Sequence, residues 1–323
     1  MRKNLIKEFS TVISIILLIL IFSEKVSAHQ GVQFGQRGNQ SVRLTEFPVD
    51  ILRFAGEGGK NSIEVFYGLP LSLPMWERDI IKFTSRPKSK VSVYDKDRNL
   101  VFEEDITTKI LIYLFEMEHI YNDVYTISQR MELDPGEYEV VVFLFDEASG
   151  NQAILSDKLV IEDRGLENLS MSDIMLAYNI TLKDIEAGLS RDNVKLFHHP
   201  AHLYHIDKPI YIFFEIYNLY VADESGSSNY VIEYSVSPVK YGKVDDIDMK
   251  HFISNMDISE FKTIDEVRTQ TEYNIKGRTD YQFFQIDHHI IRTGQYIVSV
   301  NIHDKTSGQE LTKSTPIWIF ENK

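Results

Sequence analysis

The sequence predicts an all-β protein: two tandem immunoglobulin-like β-sandwich domains behind an N-terminal signal peptide. Three observations lead there. Short alternating apolar and polar runs are separated by turn residues, one motif is duplicated at a fixed offset, and the chain starts basic and then apolar. Closely spaced strand-length runs are the pattern of sandwiches rather than of βαβ units. Aromatics at 12%, with 17 Tyr and 19 Phe, favour the same class, because large rings suit a pleated, half-buried surface.

At the N-terminus, Arg2, Lys3 and Lys7 precede the apolar run Val12 to Phe22, and Val26-Ser27-Ala28 places compact residues where a signal peptidase cuts. The run is shorter than the roughly 20 residues a membrane span requires. Cleavage after Ala28 is therefore expected, the alternative being retention of 1–28 as an anchor. No second apolar stretch follows, so no transmembrane segment is expected after cleavage, and the protein is expected to be periplasmic, outer-envelope associated or secreted. Residues 29–45, rich in Gln, Gly and Arg without periodicity, read as a disordered leader.

The full chain carries a formal charge of −14. Removing 1–28 takes away four basic and two acidic residues and leaves 30 Lys and Arg against 46 Asp and Glu, a charge of −16. Such a chain repels phosphate backbones and anionic headgroups, which argues against nucleic-acid and membrane-surface partners. Cysteine is absent, so disulfides, thiolate metal sites and cysteine nucleophiles are excluded. The fold must rest on its hydrophobic cores, and the length allows two of them.

From about Phe47 the strands begin. Ile63, Val65, Tyr67 and Leu69 alternate onto one face. The runs Lys90 to Tyr94 and Leu100 to Glu103 flank Asp95-Lys96-Asp97-Arg98-Asn99, a turn-forming segment, and read as a hairpin. Leu133-Asp134-Pro135-Gly136-Glu137-Tyr138, a strand and Asp146-Glu147-Ala148-Ser149-Gly150 then recur as Ile291-Arg292-Thr293-Gly294-Gln295-Tyr296, a strand and Asp304-Lys305-Thr306-Ser307-Gly308. The offset is 158 residues throughout. Gly136 with Tyr138, and Gly294 with Tyr296, form the expected structural corners: the glycine turns the chain with positive φ and the tyrosine hydroxyl reaches back to backbone, as in immunoglobulin-like domains. A polar break at Asp163-Arg164-Gly165-Leu166-Glu167 divides domain 1 (46–164) from domain 2 (168–323). The segment Gly242 to Asp265 reads as an insertion holding a short helix.

These segments resemble a family. Ile63-Glu64-Val65-Phe66-Tyr67-Gly68-Leu69-Pro70, Leu169-Ser170-Met171-Ser172-Asp173-Ile174, Phe214-Glu215-Ile216-Tyr217-Asn218-Leu219 and Pro135-Gly136-Glu137-Tyr138 are similar to segments of exported bacterial proteins with a GWxTD motif. The motif itself is absent, and the only tryptophans are Trp76 and Trp318. The chain thus looks like the two-sandwich portion of that family alone. The resemblance implies architecture and export, and brings no catalytic residues.

One cluster could carry chemistry. His198, His199, His202 and His205, with Asp207 close by and His288-His289 further on, resemble a metal-binding tract, since imidazole nitrogens suit zinc or copper. The spacing fits no defined zinc motif, and Pro200 breaks any helix that would stack the rings on one face. The alternative is that the histidines decorate a turn. Asp95, Asp97 and Asn99 resemble a calcium loop, but Leu100 stands where glycine is required and Ile106 where glutamate is. Acidic pairs such as Asp245-Asp246 and Glu103-Glu104 read as solvated, and no nucleophile elbow, zincin motif or phosphate loop occurs.

Val141, Phe143 and Phe145 make the second face of their strand apolar too, where the other copy has Ser299, Asn301 and His303. Something is expected to cover that face: first the other domain, second a partner. Tyr211-Ile212-Phe213-Phe214 has the same two-sided character. The expected function is a non-enzymatic binding or scaffold protein of the cell envelope, without cofactor, whose partner is a protein or envelope component. The alternatives are a carbohydrate-recognition module stacking sugar rings on exposed Tyr, Trp76 or Trp318, and a metal-binding protein centred on the histidines.

Overall fold

A computed structural model describes residues 47–113, 124–165, 167–183, 193–222, 226–239, 267–286 and 292–321. The expected signal peptide and leader, the 242–265 insertion and His288-His289 lie outside these residues. By contacts, residues 43–323 form one compact unit. It is all-β, and no strand of 49–161 pairs with a strand of 170–320 among the described residues.

The first half is a sandwich of two sheets. One is β1 (Val49–Ala55), β2 (Asn61–Pro70) and β8 (Val124–Leu133) in that order; the other runs β10 (Gln152–Ile161), β9 (Gly136–Phe145), β5 (Lys88–Asp95), β6 (Leu100–Thr107). A small third sheet joins β3 (Glu77–Arg78), β4 (Lys82–Ser85) and β7 (Ile110–Tyr113). The core lies between the two larger sheets. Ile63, Val65, Tyr67 and Leu69 of β2 meet Val91 and Val93 of β5 and Val140, Val142 and Leu144 of β9 in one buried cluster. Alternation along each strand delivers these residues to one face.

The second half repeats the plan. One sheet runs β11 (Ser170–Met171), β15 (Ile210–Tyr217), β12 (Met175–Leu182), β13 (Val194–His198), with β18 (Asp280–Ile286) also on β15. The other runs β14 (Leu203–His205), β20 (Glu310–Phe320), β19 (Gly294–Asp304), β16 (Ser227–Pro238), β17 (Val267–Lys276), and all its pairings are antiparallel except β14 with β20. Its core gathers Ile212, Phe214, Tyr230, Val298, Val300, Ile302 and Ile317.

The duplicated motif builds the same device twice. Tyr138 donates its hydroxyl to the Asp134 carbonyl at 2.9 Å, and Tyr296 donates to the Arg292 carbonyl at 3.0 Å. At the far end of each strand Gly150 donates its amide to Asp146, and Gly308 to Asp304, both at 2.8 Å, with φ of 73° and 72°. The aspartate carboxylates, both buried, accept amides within their own turns and one amide from a distant loop: Met75 at 2.9 Å for Asp146, Tyr220 at 2.7 Å for Asp304. One expectation is corrected. Of the two corner glycines, Gly136 and Gly294, only Gly294 has positive φ, at 150°. Gly136 does not; a Cβ there would stand 3.3 Å from the Tyr138 ring, a close approach that favours glycine.

The outer faces behave differently from one expectation as well. The apolar contact between the halves is made by Leu52 and Phe54 of β1, Phe66 of β2, Met175 of β12 and Phe213 of β15. The second half's two-sided strand β15 is thereby covered. Val141, Phe143 and Phe145 take no part in that cluster. Val141 is buried, whereas Phe143 and Phe145 are half-buried and stack with ring centroids 6.2 Å apart. Their cross-strand neighbours on that face are Lys90 and Ile154 for Phe143, and Lys88 and Gln152 for Phe145.

Polar groups seal the same junction. Asp173, in the break between β11 and β12, accepts from Arg53 Nε at 2.6 Å, from the Arg53 amide at 2.9 Å and from Lys313 Nζ at 2.8 Å. Its own amide donates to the Arg53 carbonyl at 2.9 Å. The Ala55 amide donates to the Tyr217 hydroxyl at 2.9 Å. β1 is the outer strand of its sheet, so these bonds satisfy a backbone edge that would otherwise be open.

Candidate metal centre

The histidine tract is where the second half meets β1. His198 closes β13, opposite Ala177 of β12, at a register shift between Ala177 and Asn179. The chain then turns through His199-Pro200-Ala201-His202, with the His202 amide donating to the His199 carbonyl at 2.8 Å. Proline's fixed φ suits the second position of such a turn. His202 emerges with φ 51°, a left-handed conformation that costs a non-glycine residue on the order of 1 kcal/mol. Its carbonyl accepts the Trp318 amide at 2.9 Å, so backbone bonds on both sides hold that geometry. The proline that rules out a helix thus brings two imidazoles together by a turn.

Both rings are oriented by their Nδ1 atoms. His198 Nδ1 lies 2.6 Å from the Leu176 carbonyl, and His202 Nδ1 lies 2.8 Å from the Pro316 carbonyl. A carbonyl only accepts, so each Nδ1 carries the proton and each Nε2 faces inward. Both Nε2 atoms stand 2.8 Å from one oxygen, Oδ2 of Asp50 on β1. All three residues are at most 9% exposed. The Phe66 ring closes one side, edge-on to His198 at 4.6 Å, and the two imidazoles lie 5.4 Å apart at 77°.

The three contacts are not equivalent. His202 Nε2 makes an aligned hydrogen bond to Asp50, whereas His198 Nε2 lies at the same distance from Asp50 without hydrogen-bond alignment. Burial pushes the Asp50 carboxyl up, but attraction to His202, the His202 hydrogen bond and the close contact with His198 outweigh it and hold it well below the ordinary range. Burial lowers His202, yet the Asp50 charge and the Pro316 carbonyl raise it further. The Tyr204 hydroxyl is buried without a well-formed hydrogen bond; burial first, and the Asp50 charge second, push its pKa up.

Of the four expected ligands, His198 and His202 converge. His199 is half-buried, accepts the Ala201 amide on Nδ1 at 3.2 Å, and is lowered to about 4 by burial and by the neighbouring His198 and His202. His205 points elsewhere, against Phe320 with centroids 5.4 Å apart and with Nδ1 accepting the Asp207 amide. Asp50 was not among the expected residues. Its signal is present: a lone carboxylate in Val49-Asp50-Ile51-Leu52-Arg53-Phe54, on the face shared with Leu52 and Phe54, demands a buried partner. The Asp95-Asp97-Asn99 segment is a hairpin turn, Asp95 accepting the amides of Asp97 and Asn99.

No protein-family model matches the chain, and no curated protein matches it. Among solved structures it is similar to trypsin-activated alpha-2-macroglobulin from Escherichia coli, at 10% identity and a TM-score of 0.24. The match covers 85% of this chain and 16% of that one, and a likeness of this degree carries no argument about fold or function.

Proposed function

We propose that the protein is an exported, non-enzymatic binding or scaffold protein of the cell envelope, its two sandwiches held as one body and its partner a protein or envelope component. The observation that carries this reading is the stacked, half-buried pair Phe143 and Phe145 on the outer face of the first sandwich, rimmed by Lys88 and Lys90. An apolar centre with a charged rim is how interaction patches are built. Two further points support it. Among the described residues, the one convergence of His and Asp with metal-ligand spacing is buried rather than displayed at the surface where a macromolecular substrate would meet it. Export is supported by the basic and then apolar start and by the resemblance to GWxTD-motif proteins, and no helix of the described residues is long and apolar enough to cross a membrane. The carbohydrate alternative loses its tryptophans as an exposed platform: Trp76 is half-buried and donates to the Leu71 carbonyl at 3.2 Å, and Trp318 is half-buried in β20.

The test is a photo-crosslinking residue in place of Phe143, in the chain expressed in its native envelope. One dominant adduct, lost on Phe145→Ser, and a mature N-terminus at His29 by mass are expected. Turnover of ester, glycoside or peptide substrates by the purified chain would overturn the reading.

A further inference from the structure

The geometry points to a divalent transition-metal site, of zinc type, formed by Asp50 Oδ2, His198 Nε2 and His202 Nε2, with one ligand from the first sandwich and two from the second. This goes beyond the scaffold reading and does not depend on it.

Proton accounting comes first. Because both Nδ1 atoms donate to carbonyls, each Nε2 holds either a lone pair or a second proton. A lone pair on His198 would face a carboxylate lone pair at 2.8 Å, a repulsive contact. A proton there would be buried and misaligned, because the Asp50 contact lacks hydrogen-bond geometry. Protons alone therefore satisfy His202 and leave His198 unsatisfied. A cation at the point where the three atoms converge satisfies all of them.

The donor set then selects the ion. Two imidazoles and one carboxylate, with a position left open, are a zinc complement, whereas calcium and magnesium prefer all-oxygen shells. Backbone carbonyls on the remote Nδ1–H groups are the usual outer partners of metal-bound histidine, fixing the tautomer and the ring plane. Tetrahedral zinc with bonds of about 2.0–2.1 Å separates its ligands by roughly 3.3 Å, so each 2.8 Å contact would open by about half an ångström. The left-handed backbone at His202, held by the His199 and Trp318 bonds, is a conformation such a constraint explains. A water would complete the shell.

The experiment uses the mature chain, stripped with chelator and titrated with Zn2+ near neutral pH. We expect one ion per chain, a rise in Tm of roughly 5 °C or more at saturation, and visible bands of tetrahedral type on Co2+ substitution. Asp50→Asn and His202→Gln should each weaken Zn2+ binding by more than about 100-fold, while His205→Gln leaves it unchanged. The Co2+ spectrum and the stoichiometry are read on the wild-type chain, so the inference stays testable if a variant fails to fold. No stoichiometric uptake by the folded wild type, octahedral Co2+ bands, or undiminished uptake by Asp50→Asn would overturn it.

Discussion

The two sandwiches end in the same motif, yet its surroundings differ between them. Tyr296 is buried, and its hydroxyl both donates to the Arg292 carbonyl and accepts the Arg292 amide at 2.9 Å. Tyr138 is half-buried and donates only. The outer faces diverge further. On the second copy Ser299 pairs with Ser314, Asn301 with Thr312 and His303 with Glu310, a ladder of polar contacts across β19 and β20. On the first, Val141, Phe143 and Phe145 occupy the matching positions opposite Ser156, Ile154 and Gln152. The inner face, which the core dictates, kept its pattern in both copies. The outer face has a separate character in each: polar and self-paired in the second, apolar and half-buried in the first.

The largest effect should come from the junction that both halves share. Phe213→Ala removes a fully buried ring from the cluster of Leu52, Phe54, Phe66 and Met175 and should cost about 3–5 kcal/mol by urea unfolding. Separate transitions for the two halves would show that the junction also makes their unfolding cooperative.

Asp173 comes next. Burial pushes its carboxyl up, but Lys313 and Arg53 outweigh burial and hold it below the ordinary 3.8. A depressed folded-state pKa contributes stability that is present above the ordinary value and is lost as pH falls through the folded one. Asp173→Asn should therefore cost about 2 kcal/mol near neutral pH, less than a fully buried pair because Arg53 and Lys313 reach solvent, and the cost should shrink in acid below the ordinary carboxylate range. An acid-independent loss would mean that backbone bonds, not charge, hold this corner.

The smallest effect separates the two corners. Tyr296→Phe strands a part-buried amide as well as a carbonyl and should cost about 1.5 kcal/mol, against about 0.5 kcal/mol for Tyr138→Phe. Equal losses would make the corners equivalent and the burial difference immaterial.

Local pattern made much of this legible. The period-two runs of β2, β9 and β19 place their inner faces where the cores lie, and the turns at Asp146 and Asp304 follow from their spacing of Ser and Gly. What escaped was long-range. Asp50 lies 148 residues before His198, and nothing in either segment names the other. The choice of Leu52, Phe54 and Phe66 over Phe143 as the joining face depends on how whole sheets approach, which alternation cannot encode. At Gly136 the close approach of the Tyr138 ring stands in for the positive φ that the sequence predicts, and the two causes leave the same residue in the sequence.

The bonds from Asp173 and Tyr217 to Arg53 and Ala55 also bear on the order of events along the chain. β1 precedes in the chain the groups that finish its margin, and without them the amides of Arg53 and Ala55 would be unclaimed. A fragment ending near the linker would keep them so, and would be prone to recruit copies of itself as surrogate neighbours. The second sandwich thus occupies, within one chain, the margin at which a second copy could otherwise pair.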